Sequence, residues 1–218
     1  VGVHNLHKQV GIIAAGNLMT DKAIVNRLST AMQSRLIHFE IEVDPKSWIK
    51  WADTHGVDHR IKSFINFKPA ALHNFDPNHQ DLNYPCPRTW AFLSKLIINN
   101  DNLNPSKMPL FAGAIGEGMA REFYSFSKIY ADLPTIKDIL NNPTGITINS
   151  EPSVQYALTG LISHHLSKNN ADKLITFMSR LTIDFQVICL RAALARDTSI
   201  KQTEAFKEWI QVNSRELM

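Results

Sequence analysis

The chain has 218 residues, 44% of them hydrophobic, and a formal charge of +3 at neutral pH. That is apolar material for one large domain or two small ones, and a basic surplus far too small for a histone-like or arginine-rich nucleic-acid binder. The two cysteines, Cys86 and Cys189, lie too far apart for a zinc-ligand pair or a disulfide framework, and no signal peptide or membrane-length apolar run is present, so the sequence predicts a cytoplasmic protein with no membrane partner.

Residues 10–15 are continuously apolar, the pattern of a strand covered on both faces, and the run stops on Gly16 and Asn17. A short helix is expected within "LSTAMQSRL", with Arg35 at its end. "LIHFEIEV", 36–43, then alternates, with Ile37, Phe39, Ile41 and Val43 on one face and Leu36, His38, Glu40 and Glu42 on the other. Two strands do not make a stable sheet alone. The missing strands are expected from sequence before Val1 or from another chain, and the absence of an initiator methionine hints at a piece of something longer.

Everything after Asp44 reads as helix and turn. "DPKSWIKWADTHG" offers Asp44 as cap, Pro45 at the first helical position and Gly56 as stop. Shorter helices are expected over 58–65 and 69–75, then a proline-broken loop, then a helix from Pro87 with Trp90, Leu93, Leu96 and Ile97 on one side. "NNDNLNPSKMP" marks a candidate domain boundary. Beyond it, one helix is predicted over 114–131, another from a Ser150 cap through Leu166, and apolar stripes at Leu174/Phe177/Met178/Leu181, Phe185/Ile188/Cys189/Ala192 and Phe206/Trp209/Ile210. The fold class is therefore mostly α, with about two strands of an α/β remnant at the front. Three regions are expected: 1–43, 44–100 and 101–218.

Three residues stand out chemically. Asn17, at a strand end where ligands gather in open α/β sheets, is suited either to orienting a water or simply to making a turn with Gly16. Arg88, in the first turn behind Pro87, places a cation at the positive end of a helix dipole, a mismatch of roughly 0.3–1 kcal/mol. An anion arriving there would meet the guanidinium and the free helix amides; the bland alternative is an ion pair with Asp81. Arg35 is well placed for its own dipole, and a solvated, helix-stabilising charge explains it in isolation.

Taken together, "AGNLMTDKAIVNRLSTAMQSRL" and "PRTW" resemble the second half of an AAA+ ATPase module of the MoxR-type and phage-type, helix-two-insert group. The likeness covers roughly residues 9–98. It implies that Asn17 is sensor 1, which holds the attacking water; that Arg35 is the arginine finger offered to a neighbouring subunit; and that Arg88 is the sensor 2 arginine of a helical lid. Arg27 is a second candidate for the trans-acting arginine. The resemblance further implies a ring-forming homo-oligomer, a protein client to be remodelled, and ATP with Mg2+ as cofactors. On this view 1–43 is the end of the α/β core, 44–100 the lid and 101–218 a helical C-terminal extension.

No GxxxxGK[ST] and no Asp-Glu dipeptide occur in the chain, so the P-loop and the magnesium-binding carboxylate are expected upstream. The chain alone is expected neither to bind ATP tightly nor to hydrolyse it. Gly113, Gly116 and Gly118 read as helix-packing glycines rather than a phosphate cradle, since no lysine follows at phosphate-loop spacing. No metal site is expected: His55 and His59 are four apart, but Gly56 between them ends the helix. Of His164 and His165, which straddle two faces of one helix, one is expected to be solvated and the other half-buried. The rival readings are a non-catalytic helical adaptor that retains an ATPase-derived interface and, argued against by the charge, a helical nucleic-acid binder.

Overall fold

The first long helix begins where the capping chemistry says it should. Asp44 accepts hydrogen bonds from the amides of Lys46 and Ser47, at 3.2 and 3.0 Å, Pro45 occupies the first helical position, and Gly56 leaves the helix at φ 65°. The structure is a computed structural model describing residues 7, 9–17, 28–78, 81–99 and 103–213. It divides into two units, one comprising Val1–Glu42 with Asp76–His79, the other Val43–Phe75 with Gln80–Met218.

In the first unit the described residues hold one short helix, α1 (Thr30–Gln33), capped by the Ser29 hydroxyl. No strand forms among the described residues. The segments expected as strands, 10–15 and 36–43, are irregular and exposed, with Ile13 98%, Phe39 85% and Ile41 92% accessible. A strand gains its stability from neighbours on both edges and on one face, and among the described residues neither segment has them.

The second unit is helical: α2 (Pro45–Thr54), α3 (His59–Phe67), α4 (Pro87–Ile97), α5 (Met108–Ile115), α6 (Glu117–Lys128), α7 (Ile136–Asn141), α8 (Pro152–His165), α9 (Ala171–Met178), α10 (Ile183–Arg196) and α11 (Glu204–Asn213). Helix α3 packs on α8, α8 on α10, α4 on α5, α5 on α6, and α9 on α11. Residues 69–75, expected as a helix, form only a 3-10 turn, Pro69–Leu72. The helix expected over 114–131 is broken at Gly116 (φ 78°) into α5 and α6, where the backbone runs so close to Asn83 and Asp81 that a Cβ would lie 3.1 Å from each. Gly113 and Gly118 have open space around them, so close approach explains Gly116 alone.

Two hydrophobic cores sit in this unit. The first is aromatic: Trp90, Phe64 and Phe123 are almost wholly buried, with ring centroids 5.6–5.7 Å apart pairwise, in the tilted and edge-on arrangements aromatic rings prefer. The Trp90 indole donates to the Ala71 carbonyl at 2.8 Å. The second core gathers Ile162, Leu174, Phe177, Met178, Leu190 and Trp209. Helix α8 belongs to both, giving Ala157 to the first and Leu158 and Ile162 to the second. On α10 the buried side lies at Gln186, Cys189, Leu190 and Ala193, with Phe185, Ile188 and Ala192 half-buried. The rotation brings buried Gln186 to Trp209, whose indole donates to its side-chain oxygen at 2.6 Å. Cys86 and Cys189 are both free thiols.

The contact of α3 with α8 rests on Gly160. A Cβ there would fall 1.9 Å from the Ser63 hydroxyl and 2.7 Å from the Tyr130 hydroxyl, which are hydrogen-bonded to each other at 2.8 Å.

Candidate functional site

The first turn of α4 is held rigidly before any ligand is considered. Thr89 Oγ1 accepts from the Cys86 amide at 2.8 Å and lies within hydrogen-bond distance of the Tyr84 and Cys86 carbonyls. Pro87 sets the first helical dihedral. Arg88 projects from this turn and is exposed. Among the described residues it has no ion-pair partner, and Asp81, the carboxylate nearest in sequence, lies against Gly116 instead.

The far end of α4 is held as firmly. Arg60 donates from Nη2 to the Ile97 carbonyl at 3.0 Å and forms a two-point pair with Asp58, at 3.0 Å from Nε and 2.7 Å from Nη2. The side chains are 6% and 2% exposed. Burial pushes the Asp58 carboxyl up, but the hydrogen bonds and charge of Arg60 more than offset it and hold it below its ordinary value. The Asp58 amide donates to the Ser94 hydroxyl at 2.8 Å, which stitches the start of α3 to α4.

Arg88 opens onto a groove of about 640 Å³ between α2 and α4, lined by Trp51, His55, Phe92, Lys95 and Ile98 among others. Trp51 and His55, one helical turn apart, stack with ring centroids 4.5 Å apart. Trp51 is 40% and Phe92 52% exposed. The volume and the mixture of apolar walls with a few polar groups are those of ligand sites in general. Sequence periodicity missed this groove. Its signal is local: Arg88, Ala91, Lys95 and Ile98 recur at helical spacing beside the buried stripe of α4.

The other nominated residues are not part of the unit that carries this groove. Asn17 and Arg35 belong to the first unit, Arg88 to the second. Asn17 is exposed, and Gly16 before it does not use the left-handed region. Arg35 is exposed just beyond α1 and donates from Nη1 back to the Ala31 carbonyl, the contact of a cation that satisfies a helix C-terminus. Arg27 lies outside the described residues.

His55 and His59 do not face one another: His59 stacks instead on His164 of α8, centroids 4.7 Å apart, with Tyr130 edge-on at 5.3 Å. The His59 side chain is 19% exposed, and burial, opposed by Asp58, takes its pKa down to about 3. His164 and His165 are both exposed rather than one being half-buried. Among the described residues no group of three His, Cys, Asp or Glu side chains could hold a metal ion. No described helix is long and apolar enough to cross a membrane.

Compared with protein-family models, curated proteins and solved structures, the chain gives no match.

Proposed function

We propose that this chain is the C-terminal part of a MoxR-type AAA+ ATPase, a lid and helical extension that work with a nucleotide-binding core to remodel a protein client within a ring. The supporting observation is Arg88. The residue that the resemblance assigns to sensor 2 stands in the first turn of a helix locked at both ends, exposed and without a carboxylate partner among the described residues. A guanidinium so placed is available to a phosphate together with the amides of the same turn. Asn17 then orients water, and Arg35 serves the adjacent subunit's nucleotide. The reading requires a P-loop and an Asp-Glu magnesium-binding motif, neither of which this sequence contains.

Two measurements test it. Calorimetry of this chain with ATP and Mg2+ is expected to show no tight binding; submicromolar affinity would overturn the placement of the missing motifs. In a chain that carries the P-loop, Arg35→Ala is expected to lower turnover by about 10³–10⁵ while ATP affinity is kept, whereas Arg88→Ala weakens both. Normal turnover in the first variant removes Arg35 from the role and passes it to Arg27. If Arg88→Ala changes neither nucleotide affinity nor turnover, Arg88 is removed from the sensor 2 role, and a full-length protein with no ATP turnover favours the adaptor reading.

A further inference from the structure

The groove between α2 and α4 carries more than Arg88, and its other features call for a different occupant. It follows one face of α4 from the first turn to Ile98, about 16 Å for an eleven-residue helix. Its floor and walls are large apolar side chains left partly open, Trp51 at 40%, Phe92 at 52% and Ile98 at 46%. Its charged residues are all cations, Arg88 and Lys95, with His55 on the α2 wall, and none of its lining residues is Asp or Glu. Neither Arg88 nor Lys95 has an ion-pair partner among the described residues. Another groove of this unit, about 470 Å³ beside α6, differs here: its Lys68 is already paired with Glu122.

We propose that the α2–α4 groove docks an amphipathic helical segment of a partner protein, apolar on the face that meets Trp51, Phe92 and Ile98 and acidic on the flanks that meet Arg88 and Lys95. A groove three helical turns long matches apolar anchors at i, i+3 or i+4, and i+7 of a docked helix. Two unneutralised cations on its rim select acidic over basic flanks and steer the encounter. The proposal goes beyond the ATPase reading and does not rest on it, because its apolar anchors and Lys95 have no part in nucleotide chemistry.

Trp51, 40% exposed, is the test's main reporter, with Trp48 of the same groove beside it at 6.2 Å, whereas Trp90 and Trp209 are buried and do not line the groove. The probes are two synthetic peptides of about fourteen residues, or four turns, with Leu and Phe at the anchor positions and either Glu or Lys at the flanks. A third peptide scrambles the acidic sequence. The acidic helix is expected to bind saturably with a change in Trp51 fluorescence, at least about tenfold more tightly than the lysine form, and to weaken as salt is raised. Phe92→Ser and Lys95→Glu, both at exposed positions, are expected to keep the melting temperature and lose about tenfold in affinity.

Equal binding of the scrambled or lysine peptide overturns the proposal, as does the absence of saturable binding by the acidic one. ATP with Mg2+ is titrated in parallel. Displacement of the peptide by ATP, or a Trp51 response to ATP that Phe92→Ser abolishes, gives the groove to the nucleotide and overturns the docking proposal while leaving the ATPase reading standing. Peptide binding that survives in a P-loop-bearing chain whose Arg88→Ala variant has unchanged turnover supports the docking site and removes Arg88 from the sensor 2 role.

Discussion

Residues 36–43 and residues 87–97 are both strongly patterned, and they meet opposite fates. The first alternates apolar and polar side chains and leaves Ile37, Phe39 and Ile41 more than 80% exposed. The second repeats apolar residues at helical spacing and buries Trp90, Leu93 and Ile97 completely. A helix closes its hydrogen bonds within its own segment, so a capped start and one apolar face are enough to seat α4 against α5. A strand inside a sheet hands half its backbone groups to each of its two neighbours. Without them, the same quality of pattern gives no element.

The largest effect should come from the helical side of this contrast. Trp90→Ala removes the centre of the aromatic core and leaves the Ala71 carbonyl unpaired, and a loss of about 3–5 kcal/mol is expected in urea unfolding. A loss under 1 kcal/mol would mean that the core does not depend on its most buried ring.

Gly160→Ala pushes a methyl group into the Ser63 and Tyr130 hydroxyls, and about 1–3 kcal/mol is the expected cost of separating α3 from α8. The double variant Gly160→Ala, Ser63→Ala should recover part of it, because the nearest clash is with the Ser63 oxygen.

Acid should act at the same contact. His59 is neutral in the folded protein down to about pH 3, whereas the unfolded chain takes up the proton near pH 6.5. Between those values the unfolded state binds more protons, so stability falls as pH falls, by up to about 1.4 kcal/mol per pH unit for this histidine. Desolvation also lowers the pKa of His164 and of His165, with Arg196 adding to both and Lys62 to His164; both add to the fall in the same direction. Asp58 opposes it. Urea midpoints at pH 7.5 and pH 5 measure the slope, and His59→Phe should flatten it; an unchanged slope would remove His59 as its source.

The smallest effect is expected on the other side of the comparison. Phe39→Ser should change stability by no more than about 0.5 kcal/mol, and amides of 36–43 should exchange with solvent well before those of 87–97. Strong protection at 36–43 in the isolated chain would show that the segment has found a partner, and the comparison would then have to be redrawn.

What could be read in the sequence was what is settled locally. Asp44, Pro45 and Gly56 mark the limits of α2 within thirteen residues, and Pro87 marks the start of α4. The break at Gly116 was hidden because apolar spacing runs through it from Ile115 to Met119, while its cause lies at Asn83 and Asp81, some thirty residues away. The stack of His59 on His164, the indole of Trp209 on Gln186 and the capping of α4 by Arg60 join residues far apart in sequence and leave no trace in periodicity. Of the site, Arg88 was legible because a cation in a first turn conflicts with the helix dipole. The groove beside it was not, since Trp51 and His55 look like one more half-apolar helix turn until α4 is placed against them.

The fixing of α4 at both ends has a mechanical consequence. Trp90 ties its beginning to the Ala71 carbonyl, and Arg60 of α3 ties its end through Ile97. A force applied at Arg88 therefore cannot be absorbed by fraying of the helix that bears it. It is passed as torque through these two hydrogen bonds to α3 and to the turn at Ala71, so that the three elements resist it together.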